Sequence, residues 1–176
     1  FMIKVVNNFL FYGSDVYKLC KSIKLFDAKT FNETFNAKQI WPGYRSEDFR
    51  SCVPFLYIYL LDLIKIKFEL NMEEYEKIEM YTHLRLKEDE EKDWKHIDES
   101  DTVIINLSPT NLSSGTHFYN ESEDLINTFF FNQSNAVYFK EGILHSAFGH
   151  HGSSIEDGRY TINIFLKKFH RWKKKG

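Results

Sequence analysis

The sequence predicts a mainly β, α+β domain: a jelly roll or sandwich with amino-terminal helices packed on one sheet. Three observations lead there. Beyond residue 75, short apolar runs recur between turn residues at a spacing that favours a sandwich or jelly roll over βαβ units. Helical periodicity is confined to the amino-terminal part of the chain. Residues 159–166 then alternate strictly, with Arg159, Thr161 and Asn163 on one face and Tyr160, Ile162, Ile164 and Leu166 on the other.

The elements follow in order. Residues 2–6 alternate weakly and predict a first strand. Ser14 or Asp15 is placed to cap a short helix running through Leu19 and Ile23. Trp41-Pro42-Gly43-Tyr44 predicts a turn, because proline fixes φ and glycine permits φ > 0. A second helix starts either near Ser46, with Glu47 and Asp48 favourable in its first turn, or at Pro54, running to about Leu63. Ile64, Ile66, Phe68 and Leu70 alternate with Lys65, Lys67 and Glu69, the period of a half-buried strand. A turn at residues 71–74 would lead into its partner strand at 75–86. Further strands are expected at 103–107, 116–119, 136–139, 144–148 and 159–166, with breakers at 108–109, 113–115, 132–135 and 149–158. Phe129 to Phe131 reads as core, and Glu123 and Asp124 as solvated helix residues. No repeat or linker divides the chain. Residues 1–74 form a helical and strand cover, 75–166 the β core and 167–176 a basic tail.

Composition excludes several function classes. At 176 residues the length suits one domain, and 43% hydrophobic with 17% aromatic content argues for a folded core. A formal net charge of −2 gives no global attraction to nucleic acid or membrane. The basic run of Lys167, Lys168, Arg171 and Lys173 to Lys175 reads as a solvated end. Cys20 and Cys52 make neither a disulfide framework nor a zinc site. No charged segment leads into a long apolar stretch, so the expected location is cytoplasmic.

Three anchors carry chemistry. In His96-Ile97-Asp98, residues i and i+2 of an extended segment share a face, so His96 and Asp98 converge while Ile97 turns away. His145 follows an apolar strand, 49 positions beyond His96. Two histidines and a carboxylate cap one face of an octahedron and leave three positions open, as non-haem iron(II) oxygenases require. A structural zinc site would instead close its coordination with protein ligands. The third anchor is Arg159, on the polar face of its strand. A guanidinium inside a barrel needs an anion, and a dicarboxylate co-substrate supplies one, with Thr161 placed to donate a further hydrogen bond. The competing readings are an exposed His96 in the acidic stretch 87–101, and a surface Arg159 paired with Glu156 or Asp157.

The order His96-x-Asp98, Gly115-Thr116-His117-Phe118-Tyr119, His145, Arg159-x-Thr161 resembles the Fe(II)/2-oxoglutarate-dependent dioxygenases, in particular the small bacterial and phage-type, prolyl-hydroxylase-like members. It covers residues 78–166. The resemblance implies a double-stranded β-helix (jelly roll) in which His96, Asp98 and His145 hold Fe(II). It further implies that Arg159, helped by Thr161, binds the distal carboxylate of 2-oxoglutarate. The activity implied is hydroxylation of a small-molecule or protein substrate, with release of succinate and CO2; because Asp98 is present, halogenation is disfavoured. Trp41-Pro42-Gly43-Tyr44-Arg45 resembles a motif preceding the barrel in the same subgroup, without an assigned role. The interval from His145 to Arg159, 14 positions, is longer than the family's usual one. Residues 150–158 can absorb the excess; alternatively His150 or His151 is the distal ligand. The rival functions are a non-catalytic, cupin-like jelly-roll module that binds metal or ligand, and a metal-dependent isomerase or lyase on the same barrel.

Overall fold

Pro54 opens the helix on which the largest core is built. In the computed structural model, which describes residues 2–92, 94–149 and 152–170, α1 (Gly13–Ser22), α2 (Ala28–Phe35) and the short α3 (Phe49–Cys52) precede α4 (Pro54–Phe68). Proline at the first helical position loses no hydrogen bond, and Lys65 and Lys67 in the last turn suit the helix dipole. Asp27 and Asp48 cap α2 and α3 by accepting from the Thr30 and Arg50 amides at 2.7 and 2.8 Å. Leu56, Leu60, Ile64 and Phe68 recur every fourth residue and are buried.

Ile64 to Leu70 is therefore not a strand. No turn residue separates it from the helix, which runs on to Phe68 and closes at Glu69 in the left-handed region (φ 56°). Ile64 and Phe68 share a helical face, whereas Ile66 is 69% exposed. Of the two expected starts of the second helix, Pro54 is the one used, by α4, while Asp48 caps the short α3 instead of lying in a first turn. Ser46 instead ends a strand, and α2 carried no signal strong enough to predict it.

Among the described residues ten strands build two antiparallel sheets: β1 (Ile3–Val6), β2 (Leu25–Asp27), β3 (Tyr44–Ser46), β4 (Tyr75–Arg85), β5 (Asp101–Asn106), β6 (Asn111–Tyr119), β7 (Leu125–Phe131), β8 (Ala136–Phe139), β9 (Leu144–Gly149) and β10 (Arg159–Lys168). The larger sheet runs β1-β8-β5-β10-β4-β3-β2 and the smaller β7-β6-β9. The fold is thus mainly β. The amino-terminal segment is more than a cover, because β1, β2 and β3 all join the large sheet. Lys167 and Lys168 belong to β10, while 171–176 lie outside the described residues. Ser113 to Gly115 falls inside β6, where the register shifts between Asn111 and Gly115. A side chain at Gly115 would strike the Phe129 carbonyl at 2.2 Å, so a glycine lets the bulged strand close on its neighbour. Glu123 and Asp124 sit in the β6–β7 turn rather than a helix. Phe129 and Phe131 are buried in β7, and Phe130 is exposed.

The large sheet separates two environments. On its outer face Val103, Ile105, Ile162, Ile164 and Leu166 pack on α4 in one cluster. Between the sheets a smaller cluster, including Phe118, Phe129, Val137 and Phe139, fills one side. The other side is a cavity of about 860 Å³. No helix among the described residues is long and apolar enough to cross a membrane.

Candidate metal centre

Two backbone hydrogen bonds create the centre. The His96 amide donates to the His145 carbonyl at 3.0 Å, and the His145 amide returns the bond to His96 at 2.9 Å. This bridge ties an otherwise irregular segment to the start of β9. Residues 96–98 are thus not a regular strand; the segment is pinned at His96 and again where the Gly142 amide donates to the Asp98 carbonyl at 3.2 Å. Ile97 is 57% exposed at the rim of the cavity that His96 and Asp98 line.

His96, Asp98 and His145 meet with one potential ligand atom from each lying within 4.8 Å of the others. Nε2 of His96 is 3.7 Å from Asp98 Oδ1, and Nε2 of His145 is 3.4 Å from Oδ2. Each ring's Nδ1 faces a carbonyl: Trp94 at 3.1 Å for His96 and Ile143 at 2.8 Å for His145. A carbonyl only accepts, so each Nδ1 donates, and Nε2 is the ring atom left facing Asp98 and the shared centre. Phe118 and Phe139 pack around the His145 ring, which is buried, while the His96 side chain is 44% exposed.

The electrostatics favour an ionised Asp98 and a neutral His96. Burial pushes the Asp98 carboxyl up, but hydrogen bonding and charge from His145, charge from His96 and the Thr102 hydroxyl outweigh it, so its pKa falls below the ordinary value. The Thr102 hydroxyl donates to Asp98 Oδ2 at 2.9 Å. Burial, then the charge of His145, lowers His96. Nothing in the sequence marked Thr102 except its place four residues beyond Asp98.

Arg159 lines the same cavity as the three residues, and Thr161 follows it along the wall. Only 5% of Arg159 is exposed. Its Nη2 reaches the Thr116 hydroxyl at a long 3.5 Å, its guanidinium lies 5.4 Å from the Phe131 ring centre, and its Nε has no hydrogen-bond partner among the described residues. Burial, then the neighbouring Arg85, pulls its pKa down to about 9. The surface pairing does not occur: Glu156 binds Lys21 at 2.9 Å and Asp157 accepts from Ser154. The Thr161 hydroxyl donates to Asn163 Oδ1 at 2.7 Å, so its proton is engaged within the strand. His150 and His151 lie outside the described residues. His83 is buried and donates to the Pro42 carbonyl at 3.0 Å, as a packing histidine would, and Tyr138 faces the opposite side of the sheet.

The donor set suits a divalent ion that keeps open positions. It offers two imidazole nitrogens and one carboxylate beside a cavity, and the buried Arg159 on the same wall has no anionic partner among the described residues.

No family model matches the sequence, and no curated protein does. Solved structures do. The non-haem α-ketoglutarate-dependent epimerase SnoN from nogalamycin biosynthesis superposes with a TM-score of 0.58 at 12% identity, covering 94% of this chain and 77% of that one. A Pseudomonas putida prolyl-4-hydroxylase gives 0.54 at 12% identity over 95% and 93%. The Escherichia coli ribosomal oxygenase YcfD gives 0.52 at 8% over 99%, although this chain spans only 50% of it. At such identities the likeness establishes the architecture: this chain has the fold these three proteins share.

Proposed function

We propose that this chain is an Fe(II)- and 2-oxoglutarate-dependent oxygenase on a double-stranded β-helix, hydroxylating a small-molecule or protein substrate. One observation carries the reading: three metal-ligand side chains converge on a cavity whose wall also holds Arg159, a buried guanidinium with a partnerless Nε. A guanidinium so placed favours a carboxylate strongly, because burial without an anion is costly and a planar fork matches two oxygens.

His96, Asp98 and His145 would hold the metal. Iron bound there would supply, with 2-oxoglutarate and dioxygen, oxidation of a substrate C–H bond, with succinate and CO2 as co-products. The protein's own contributions are readable residue by residue. The Trp94 and Ile143 carbonyls fix both imidazoles with Nε2 free. Thr102 occupies one lone pair of Asp98 and sets its carboxylate plane. Arg159 would take the far carboxylate of the co-substrate, and Phe118 and Phe139 keep water from the His145 side.

Anaerobic addition of Fe(II) and 2-oxoglutarate should produce a weak visible charge-transfer band that His96→Ala abolishes. Arg159→Gln should weaken 2-oxoglutarate binding by about tenfold or more, the usual scale for a lost charge-assisted hydrogen bond. A wild-type protein with neither band nor succinate release would overturn the assignment.

A further inference from the structure

The cavity extends well beyond the metal centre, and its outer half is built around a second buried guanidinium. Arg45 follows the Trp41-Pro42-Gly43-Tyr44 turn, where Gly43 adopts φ +78° and a Cβ would meet the Leu84 carbonyl at 2.3 Å. The turn delivers Arg45 onto β3 opposite His83, in the row that continues to Thr161 and Asn106. That row lies on the inner face, and Arg45 lines the same cavity as Arg159 and the histidines.

Arg45 is only 8% exposed. Its guanidinium carbon sits 4.7 Å from the Trp41 ring centre, 5.0 Å from Tyr81 and 5.5 Å from Phe165. Among the described residues its hydrogen bond is from Nη1 to the uncharged amide oxygen of Gln39, at 3.1 Å, while Nε has no partner. Aromatic faces stabilise a cation, but they leave its N–H groups unsatisfied. Nearer the mouth, Lys77 and Lys167 stand directly opposite on adjacent strands, and Glu79 pairs with Lys77. Glu79 offsets Lys77 and leaves Lys167 facing it, and with Lys38 and Arg45 against Glu99 the outer lining keeps a net positive charge. The outer cavity is therefore cationic although the whole chain is formally negative, at −2.

We propose that the primary substrate is a small organic anion with an apolar body. Its acid group docks on Arg45, its body lies against Trp41 and Phe165, and Lys167 guards the entrance. This rests on the oxygenase reading, because it assigns Arg159 to the co-substrate and leaves Arg45 for the second ligand. About 860 Å³ falls within the range that holds drug-sized ligands, so both fit together.

The test uses the full chain loaded with Zn(II), which is redox-inert, and saturating 2-oxoglutarate. It is titrated by calorimetry with 3-phenylpropionate, phenyl phosphate and the neutral 3-phenylpropanamide. At least one anion should bind about tenfold or more tightly than the amide, and Arg45→Gln should erase that advantage. Arg45→Lys should restore part of it. The exposed Lys167→Gln, which leaves the core untouched, should weaken the anion by a few-fold, an effect that salt suppresses. Carboxylate against phosphate tells which acid group the site prefers. Equal binding of amide and anions, indifference to both Arg45→Gln and Lys167→Gln, or no saturable anion binding overturns the proposal. So does 2-oxoglutarate binding that depends on Arg45 instead of Arg159. If 2-oxoglutarate does not bind at all while an anion still depends on Arg45, the oxygenase reading falls and the anion site stands.

Discussion

The two faces of β10 divide the labour of this molecule. On one, Tyr160, Ile162, Ile164 and Leu166 are all but sealed from solvent against α4 and its neighbours. On the other, Arg159, Thr161 and Asn163 look into the cavity, with Arg159 as deeply buried but short of partners. Burial on the first face stabilises the fold at roughly 25 cal/mol per Å² of apolar surface. Burial on the second costs free energy, which the carboxylate of the proposed co-substrate would offset. The difference separates residues whose loss should unfold the protein from residues whose loss should only disarm it.

The sharpest way to break that division is at the residues proposed to hold the metal. Asp98→Ala or His145→Ala should weaken metal binding by more than the roughly 10–100-fold that losing an outer partner costs, with the melting temperature of the metal-free protein little changed. Large unfolding in either variant would mean that the polar face is structural after all. Ile164→Ala, on the opposite face of the same strand, should lower stability by about 2–5 kcal/mol in urea denaturation. Its folded fraction should keep full metal affinity. Thr102→Val preserves shape while removing the hydroxyl bonded to Asp98, and metal affinity should fall by about 10–100-fold, read by competition with a chelator.

The smallest effect concerns acid. Burial, then the charges of Arg45 and Arg85, holds the pKa of His83 well below its ordinary 6.5. The unfolded chain takes up this proton near 6.5 and the folded chain only at lower pH, so stability should fall as pH drops below about 6.5. His96 is shifted the same way. His83→Gln should flatten the acid limb of melting temperature against pH between about 7 and 5. An unchanged limb would assign it elsewhere.

How far all this was legible in the sequence depended on whether the signal was local. Residues 136–139 and the start of β10 at Arg159 could be read directly, because alternation and flanking turns are short-range. The inward face of β10 followed from its apolar outer face. The 64–70 segment misled, because alternating Ile and Lys fits a strand's period, while the Ile64–Phe68 interval fits a helix equally well. Residues 25–27 and 44–46 are too short for any period, and they become strands only through neighbours that are distant in the chain. The spacing of His96 and Asp98 was visible, but the means of bringing them to His145 was not. A single bridge between residues 49 apart has no sequence signature. Thr102 and Arg45 escaped for the same reason, since their roles come from tertiary neighbours.

If the proposed centre takes up iron, that bridge has a consequence for how it is loaded. Main-chain atoms already hold both imidazoles beside the carboxylate, so an incoming ion has little left to organise. Such a preset cradle cannot reject competitors by refusing to fold around them. Occupancy should then follow the intrinsic order of the divalent ions and their supply, with copper and zinc outcompeting iron whenever all are offered together. Preparations grown in different media should differ in mismetallation before they differ in structure.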